Sequence, residues 1–396
     1  MSLRVLSIST LFPSPARPGF GLFVERQANA LARRGDIELT VVNPIAMAPG
    51  PLAALFHSAA ERAVPACDTA RGFAVHHPRF VWVPRIGGRW NPALIARAVL
   101  PLARRLHAER PFLVVDAQFF YPDGPAAARV AAALGLPLSI KARGSDIHHW
   151  GQVPYARRKM LAAAEQAAGL LAVSAALKDD MAALGMAASK IAVHYTGLDH
   201  ALFRPADRAE ARRALAGAAP TAIPADMKLL VTTGNLIALK GQALVIRALA
   251  QLPDTRLLLA GSGPDEQALR ALSEELGLAG RVHITRLAPP QLALALAGAD
   301  AMVLPSEREG LANAWIEALA CAAPLVITDV GGAREVVTGP SAGRLTARNP
   351  EAIAAALRDL LQAPPAPDAV AQHAARFSWE ANAAELSAHF QRLAAD

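Results

Sequence analysis

The sequence predicts an α/β protein made of two successive doubly wound domains, each a parallel sheet covered by helices. Three observations lead there. At 396 residues the chain exceeds one ordinary domain. Its short apolar runs, such as 138–142 and 325–328, lack clean alternation, as strands buried on both faces do. These runs alternate with helical periodicities, pause in an Ala- and Pro-rich stretch at 203–226 holding one short basic helix, and then resume.

The elements follow in order. Strands at 4–9 and 38–43 flank a helix at 24–34, and a basic helix occupies 92–109. Strands at 113–117, 138–142 and 170–174 alternate with helices at 124–134, 157–168 and 176–184. After the pause, strands at 228–233, 255–260, 282–285, 301–304 and 325–328 alternate with helices at 243–252, 265–276, 290–297 and 312–320. This places a domain boundary near residue 203. Open α/β sheets bind ligands beyond the carboxyl ends of their strands, so function is expected in the loops that follow strands, in a cleft between the two domains.

Composition narrows the class. Residues 1–200 carry 22 Lys and Arg against 13 Asp and Glu, and residues 201–396 carry 18 against 20. A basic first half suits phosphate-bearing ligands, an anionic membrane surface or nucleic acid, or is a solvated face with no partner. No interleaving of aromatic and basic residues and no known module favours nucleic acid. Cys67 and Cys321 form neither a disulfide framework nor a metal spacing, which points to a reducing, cytoplasmic setting. The N-terminal apolar run is short and broken by serines, so it reads as a buried strand rather than a signal peptide. Residues 39–60 lack Asp, Glu, Lys and Arg, but Pro44, Pro49 and Gly50 interrupt them, so they are no membrane helix.

Five loops carry candidate chemistry. Gly234-Asn235-Leu236-Ile237-Ala238-Leu239-Lys240-Gly241 follows a strand and opens a helix, where free N–H groups and the Lys240 charge make an anion site; an ordinary loop with a surface lysine fits as well. Gly261-Ser262-Gly263-Pro264 is either a fragment of a dinucleotide fingerprint or a tight turn. Pro305 to Ala312 separates a strand from a helix, with Glu309 before the helix and Glu317 about two turns in. Eight helical residues span ~12 Å, more than the ~5–9.5 Å that glycoside hydrolases leave between paired carboxylates. The pair suits two hydroxyl-bearing rings on either side of a diphosphate, with the amides of Gly310, Leu311 and Ala312 between them. Otherwise Glu309 is a surface charge favoured by the helix dipole. In the first domain, the loop from Phe12 to Phe23 contains Gly19 and Gly21 and fits close backbone approach to a ligand. Arg143 and Asp146 follow another strand, placed for a phosphate or sugar and for a hydroxyl proton, or paired with each other. No Asp-x-Asp, Walker lysine, Gly-x-Ser-x-Gly elbow or metal-ligand spacing occurs.

These motifs appear together in a recognisable order. The chain resembles retaining glycosyltransferases of family 4, which have the GT-B fold of two Rossmann-like domains. The likeness runs from the glycine-rich first loop through Ala172-Val173-Ser174, Leu177-Lys178-Asp179, Thr196-Gly197-Leu198-Asp199 and Phe203-Arg204-Pro205. It continues through Lys240, Gly261 to Pro264, Glu309 and Glu317, Pro324 and Gly331-Gly332-Ala333-Arg334-Glu335, and ends at Phe377-Ser378-Trp379, similar to the family's return crossing. The glutamate pair after Pro305-Ser306 is the most specific piece, and the subgroup likeness leans towards bacterial envelope-polysaccharide enzymes.

The resemblance implies an acceptor domain at 1–202, rejoined by a helix at 377–396, and a nucleotide-sugar domain at 203–376. It implies a UDP-linked donor, no cofactor and no metal. Glu317 would hold the ribose, Glu309 the donor sugar and Lys240 the departing diphosphate, with Gly234, Asn235 and Gly310–Ala312 completing the donor site. The loop with Gly19 and Gly21 would cover the donor, and Arg143 and Asp146 would meet the acceptor, a saccharide or lipid-linked saccharide. Departures are Asn235 where relatives carry Arg, Arg143 where they carry His, and Ala312 and Ala322 where Gly is common. A nucleotide-sugar 2-epimerase of the same fold and a non-catalytic sugar-nucleotide-binding subunit are the competing readings. Arg79, Arg85, Arg89, Arg97, Arg104, Arg105 and Arg110 cluster around the helix at 92–109, whose Val99, Leu102 and Leu106 form part of an apolar stripe; such a helix lies on an anionic leaflet or is a solvated helix.

Overall fold

A computed structural model describes residues 2–50, 52–82, 87–218 and 227–395. Arg85 and the end of the 203–226 stretch lie outside the described residues. The strands are β1 (Leu3–Ile8), β2 (Ile37–Val42), β3 (Ile45–Met47), β4 (Cys67–Asp68), β5 (Ala74–His76), β6 (Arg79–Val81), β7 (Val114–Ala117), β8 (Leu138–Ala142), β9 (Gly169–Ala172), β10 (Ile191–Val193), β11 (Lys228–Thr233), β12 (Thr255–Ala260), β13 (Val282–Thr285), β14 (Ala301–Leu304), β15 (Leu325–Thr328) and β16 (Gly343–Thr346).

The chain divides into two units: 1–197 with 379–396, and 198–378. In the first, the sheet order is β10-β9-β8-β7-β1-β2-β5-β4, parallel except for β4 against β5. In the second it is β13-β12-β11-β14-β15-β16, parallel in every described pair. The continuous apolar runs have the cause inferred for them: all residues of β7, β8, β14 and β15 are buried. Each sheet reverses direction once, between β1 and β7 and between β11 and β14, so the loops leaving those neighbours meet at one edge.

The last helix, Trp379–Ala395, belongs to the first unit. Ala383, Leu386, Phe390 and Leu393 join the core formed by Val5, Leu31, Leu39 and Val114. Asn382 bonds to the backbone of Tyr195, and the His194 ring bonds to the Asn382 carbonyl at 2.9 Å. The crossing therefore docks by side-chain packing and polar pairing together.

The basic helix forms as expected, at Asn91–Glu109; of its apolar stripe, Val99 is buried while Leu102 and Leu106 are half-buried. Ile95, Val99 and Ala103 are fully buried, and the helix packs along the helix Asp123–Leu134. Arg97, Arg104 and Arg105 face solvent, as do Pro101 and Ala108. Packing against the neighbouring helix thus covers Val99 and leaves Leu102 and Leu106 partly exposed. Among the described residues no helix is long and apolar enough to cross a membrane.

Candidate active site

β11 and β14 are hydrogen-bonded neighbours, pairing Leu230 with Ala301 and Val231 with Met302, so their following loops emerge side by side. The first contains a 3-10 turn, Ala238–Lys240, and enters the helix Gln242–Leu249. The second runs from Pro305 to Ala312 and enters the helix Asn313–Ala320. The Glu307 amide donates to the Leu239 carbonyl at 2.8 Å, stitching the two loops. Across that stitch the Lys240 ammonium donates to Glu309 Oε1 at 2.5 Å, and Ser306 Oγ donates to the same oxygen at 2.7 Å. The two side chains are 19% and 12% exposed, enough shielding for charge to act more strongly than in open water. Two residues 69 apart, chosen from sequence separately, share one site.

Several supports were not singled out for this role from sequence. Arg348, in the loop after β16, donates from Nε to the Pro305 carbonyl at 3.1 Å and from its terminal nitrogen to the Ala238 carbonyl at 2.9 Å. It clasps the glutamate loop and the lysine turn at once. Thr328 bonds through its hydroxyl to the Ser306 carbonyl, and the Gly332 amide donates to the Gly310 carbonyl at 2.8 Å. Gln242 holds the Asn235 carbonyl at 2.9 Å. Sequence position marks Thr328, which ends a predicted strand, and Gly332, which follows it within a quoted motif; nothing in the sequence marks Arg348.

The structure gives Gly261 and Gly263 a packing role. A Cβ on Gly261 would lie 1.9 Å from the Gly234 carbonyl oxygen, and one on Gly263 2.2 Å from that of Leu236. The Leu236 amide meanwhile donates to the Ser262 carbonyl at 3.0 Å. These glycines let two adjacent loops close on each other, a third reading beyond fingerprint and turn.

Of the remaining donor candidates, Glu317 sits in the second turn of its helix and is half-buried. The helix begins at Asn313 rather than Ala312, because Ala312 keeps extended backbone, φ −73° and ψ 122°. Gly310, Leu311 and Ala312 are therefore buried loop residues leading into the helix. Asn235 is exposed, and Gly234 has φ 129°.

In the first unit Gly21 caps the helix Leu22–Arg33 with φ 75°, and its missing Cβ would fall 2.5 Å from the Leu11 carbonyl oxygen. Gly19 faces open space. Arg143 is partly exposed; its guanidinium donates to the Gln118 carbonyl at 3.2 Å and side chain at 2.5 Å, over the Phe23 ring. Asp146 is fully buried. Its carboxylate accepts the backbone N–H groups of Phe120, Arg143, Gly144 and Ile147, at 2.8 to 3.2 Å. Both oxygens serve the loop, so Asp146 clamps the backbone that presents Arg143. Sequence reading passed over Lys141. It is fully buried, and its amine bonds to His194 Nδ1 at 2.8 Å and Gln27 at 3.1 Å. Burial pushes both Lys141 and His194 well below their ordinary pKa values.

Two open parallel sheets, each presenting chemistry at its carboxyl edge, with a lysine–glutamate pair in the second, define a glycosyltransferase of the GT-B fold. Residues 17–202 match the family described as Glycosyltransferase Family 4 and residues 218–377 the family described as Glycosyl transferases group 1, and the chain belongs to these glycosyltransferases. It is 28% identical over 339 residues to a Bacillus subtilis glycosyltransferase named for teichuronic acid biosynthesis, covering 83% of this chain and 82% of that one. Against the D-inositol 3-phosphate glycosyltransferase of Mycobacterium marinum it is 34% identical over 225 residues, 52% of this chain and only 46% of that relative. Its fold matches sucrose-phosphate synthase from Thermosynechococcus elongatus with TM-score 0.78, 19% identity and 99% of both chains covered. It also matches Anabaena HepE in complex with UDP-glucose, with TM-score 0.72, 21% identity, and 98% and 100% covered.

Proposed function

We propose that this glycosyltransferase moves a hexosyl unit from a UDP-sugar to a saccharide or lipid-linked saccharide acceptor in cell-envelope polysaccharide synthesis, with retention and without a metal. The observation that carries the reading is the contact of Lys240 with Glu309 on two loops locked together at the edge of one sheet. Cleaving an anomeric C–O bond builds negative charge on the outgoing phosphate, and a cation held in place stabilises it without reorganising. Lys240 takes that role. Glu309, beside it, accepts hydroxyls of the transferred sugar, and Glu317 holds the ribose. The amides of Gly310–Ala312, with Gly234 and Asn235, line the phosphates. Gly19 and Gly21 shape the loop that covers the donor, and Arg143 meets the transferred sugar or the acceptor. The UDP-glucose complex of a fold neighbour supports the donor class, and the teichuronic acid relative supports the envelope role. The protein acts in the cytoplasm, its exposed arginines drawing it to the anionic inner leaflet.

A panel of UDP- and GDP-sugars read by thermal shift identifies the donor, since a ligand that binds the folded state raises its melting temperature. Transfer with that donor, followed by NMR of the product anomer and repeated with EDTA, tests the rest. An inverted product or loss of activity in EDTA overturns the mechanism. Isomerised donor without saccharide product identifies an epimerase, and donor binding without any turnover a non-catalytic subunit.

A further inference from the structure

The sheet of the first unit buries a stripe of polar side chains where parallel strands ordinarily carry apolar ones. Ser7 lies beside Asp116 in register, and Asp116 beside Ser139. Alternation puts Lys141 on the same face as Ser139, and the helix Leu22–Arg33 lays Gln27 against it. Gln118 follows β7 and bonds back to Asp116. All six are buried, and burying a polar side chain costs stability unless it is hydrogen-bonded. The donor chemistry uses none of them.

Hydrogen bonds cross this stripe in one direction. His194 Nε2 faces the Asn382 carbonyl at 2.9 Å, so that nitrogen carries the ring proton and Nδ1 accepts. The Lys141 amine donates to His194 Nδ1 at 2.8 Å and to Gln27 Oε1 at 3.1 Å. Burial, with the Arg143 charge nearby, holds Lys141 well below its ordinary pKa, towards the neutral amine whose two protons these acceptors take. Gln27 Nε2 donates to Gln118 Oε1 at 2.7 Å, and Gln118 Nε2 to Asp116 Oδ2 at 2.6 Å. An amine at one end and a carboxyl group at the other therefore decide which way both amides face.

The direction matters to Arg143, which meets both amide oxygens. Its Nη2 donates to Gln118 Oε1 at 2.5 Å and, at longer range, to Gln27 Oε1 at 3.4 Å. A guanidinium has only protons to give. If the Gln27 amide turned over, it would set N–H groups against the guanidinium and an oxygen against Gln118 Oε1. Lys141 opposes that turn, which would cost it the acceptor it now holds.

We propose that Lys141 is a positioning residue for transfer, holding the Arg143 guanidinium in place through the amides of Gln27 and Gln118. Lys141 itself touches no substrate. The proposal rests on the role given to Arg143 under the transferase reading above.

Lys141→Met keeps a chain of similar length without its protons, and Gln27→Met breaks the same path one step nearer to Arg143. Crystal structures of both variants and of the wild type, without ligand, read the geometry directly. Arg143 is expected on the Gln118 side chain in the wild type and displaced from it in each variant. Turnover of the nucleotide-sugar found by thermal shift, followed as release of its nucleoside diphosphate, reads the consequence. Either variant should lower kcat about tenfold. In an Arg143→Met background, where no guanidinium remains to be held, the same substitution should change kcat by less than about twofold. A purely structural role would lower the melting temperature and cost as much in both backgrounds, and that result overturns the proposal. So does a guanidinium that stays on Gln118 in both variants with kcat unchanged. If Arg143→Met alone keeps full turnover, the role of Arg143 falls and this proposal with it. If the wild type turns over no nucleotide-sugar, the transferase reading fails instead, and the three crystal structures still decide whether Lys141 places Arg143.

Discussion

Lys240 Nζ and Glu309 Oε1 stand 2.5 Å apart on loops that leave neighbouring parallel strands. Each group limits where the other can go, so the cation is aimed before any ligand arrives. Preorganisation of this kind is what separates a catalytic charge from a surface charge. Lys240→Ala and Glu309→Ala are each expected to lower turnover by ~10²–10³-fold. The double variant should fall far short of the product of the two losses, because the residues act as a unit. Steady-state kinetics on the three variants, with melting temperatures to show that they fold, checks this; near-normal turnover in both single variants removes the site assignment.

Gly19 and Gly21 were grouped in sequence, yet the structure separates them. Gly21 occupies left-handed backbone with the Leu11 carbonyl where a side chain would begin, and Gly19 borders open space. Gly21→Ala should therefore destabilise the first unit by ~2 kcal/mol or more. Gly19→Ala should stay within ~0.5 kcal/mol. Urea unfolding of both variants decides it, and equal effects would contradict the geometry.

Much of the fold was legible because parallel strands announce themselves. Lys228–Thr233, Thr255–Ala260, Val282–Thr285, Ala301–Leu304 and Leu325–Thr328 are found where the apolar runs placed them. The excursion between β2 and β6 was not legible, since strands of two or three residues such as Ala74–His76 carry too little periodicity. That excursion supplies His57 and Glu61, and β6 with the residue after it Phe80 and Trp82, to one cavity, which therefore could not be foreseen. The donor loops were legible as motifs, but Arg348 was not, because its role is to bond carbonyl groups that no side-chain pattern marks. The clamping role of Asp146 was not legible for the same reason: its partners are backbone amides.

Asp123 is fully buried at the end of β7's loop, where its carboxylate accepts the Thr10 amide and hydroxyl, both at 2.8 Å. Burial raises its folded pKa from 3.8 to about 7. The sign follows from proton binding. Below pH 3.8 both states hold the proton and the stabilising term is complete. Between there and about 7 the unfolded carboxyl ionises while the folded one resists, so stability falls as pH rises, by up to ~1.4 kcal/mol per pH unit. Above about 7 the term is constant. The melting temperature of wild type relative to Asp123→Asn should therefore decline from pH 5 to 7 and level off by pH 8. A flat difference would refute it. Asp116, raised by burial in the same direction, is present in both proteins and cancels, whereas Asp146, whose charge helps to raise Asp123, is coupled to it and does not cancel in full.

Ala322 follows the helix Asn313–Ala320 with φ 62°, a conformation that strains any residue with a Cβ. The family resemblance implies glycine there, and the left-handed backbone gives the physical reason. Ala322→Gly is expected to stabilise the second unit by ~1 kcal/mol, or about 2–4 °C in its melting transition. Differential scanning calorimetry measures it, and a lower melting temperature would mean that unfolded-state entropy outweighs the relieved strain.

Arg348 touches neither member of the lysine–glutamate pair, but it bonds the backbone of both loops, through the Pro305 and Ala238 carbonyls. Removing it frees two carbonyls near the surface, where water replaces the lost bonds at a cost of ~1 kcal/mol each. Stability should change little. Alignment should change more, because under the proposed role of Lys240 a shift of a fraction of an ångström from the departing phosphate weakens the stabilisation. Arg348→Ala is expected to lower kcat about tenfold and to shrink the thermal shift produced by UDP. Arg348→Lys, able to reach one carbonyl but not to fork between two, should recover part of the loss. A residue with a purely structural role would lower the melting temperature without altering either readout. If Arg348→Ala keeps full kcat and the full UDP shift, the Glu307–Leu239 backbone bond and the lysine–glutamate contact hold the two loops unaided.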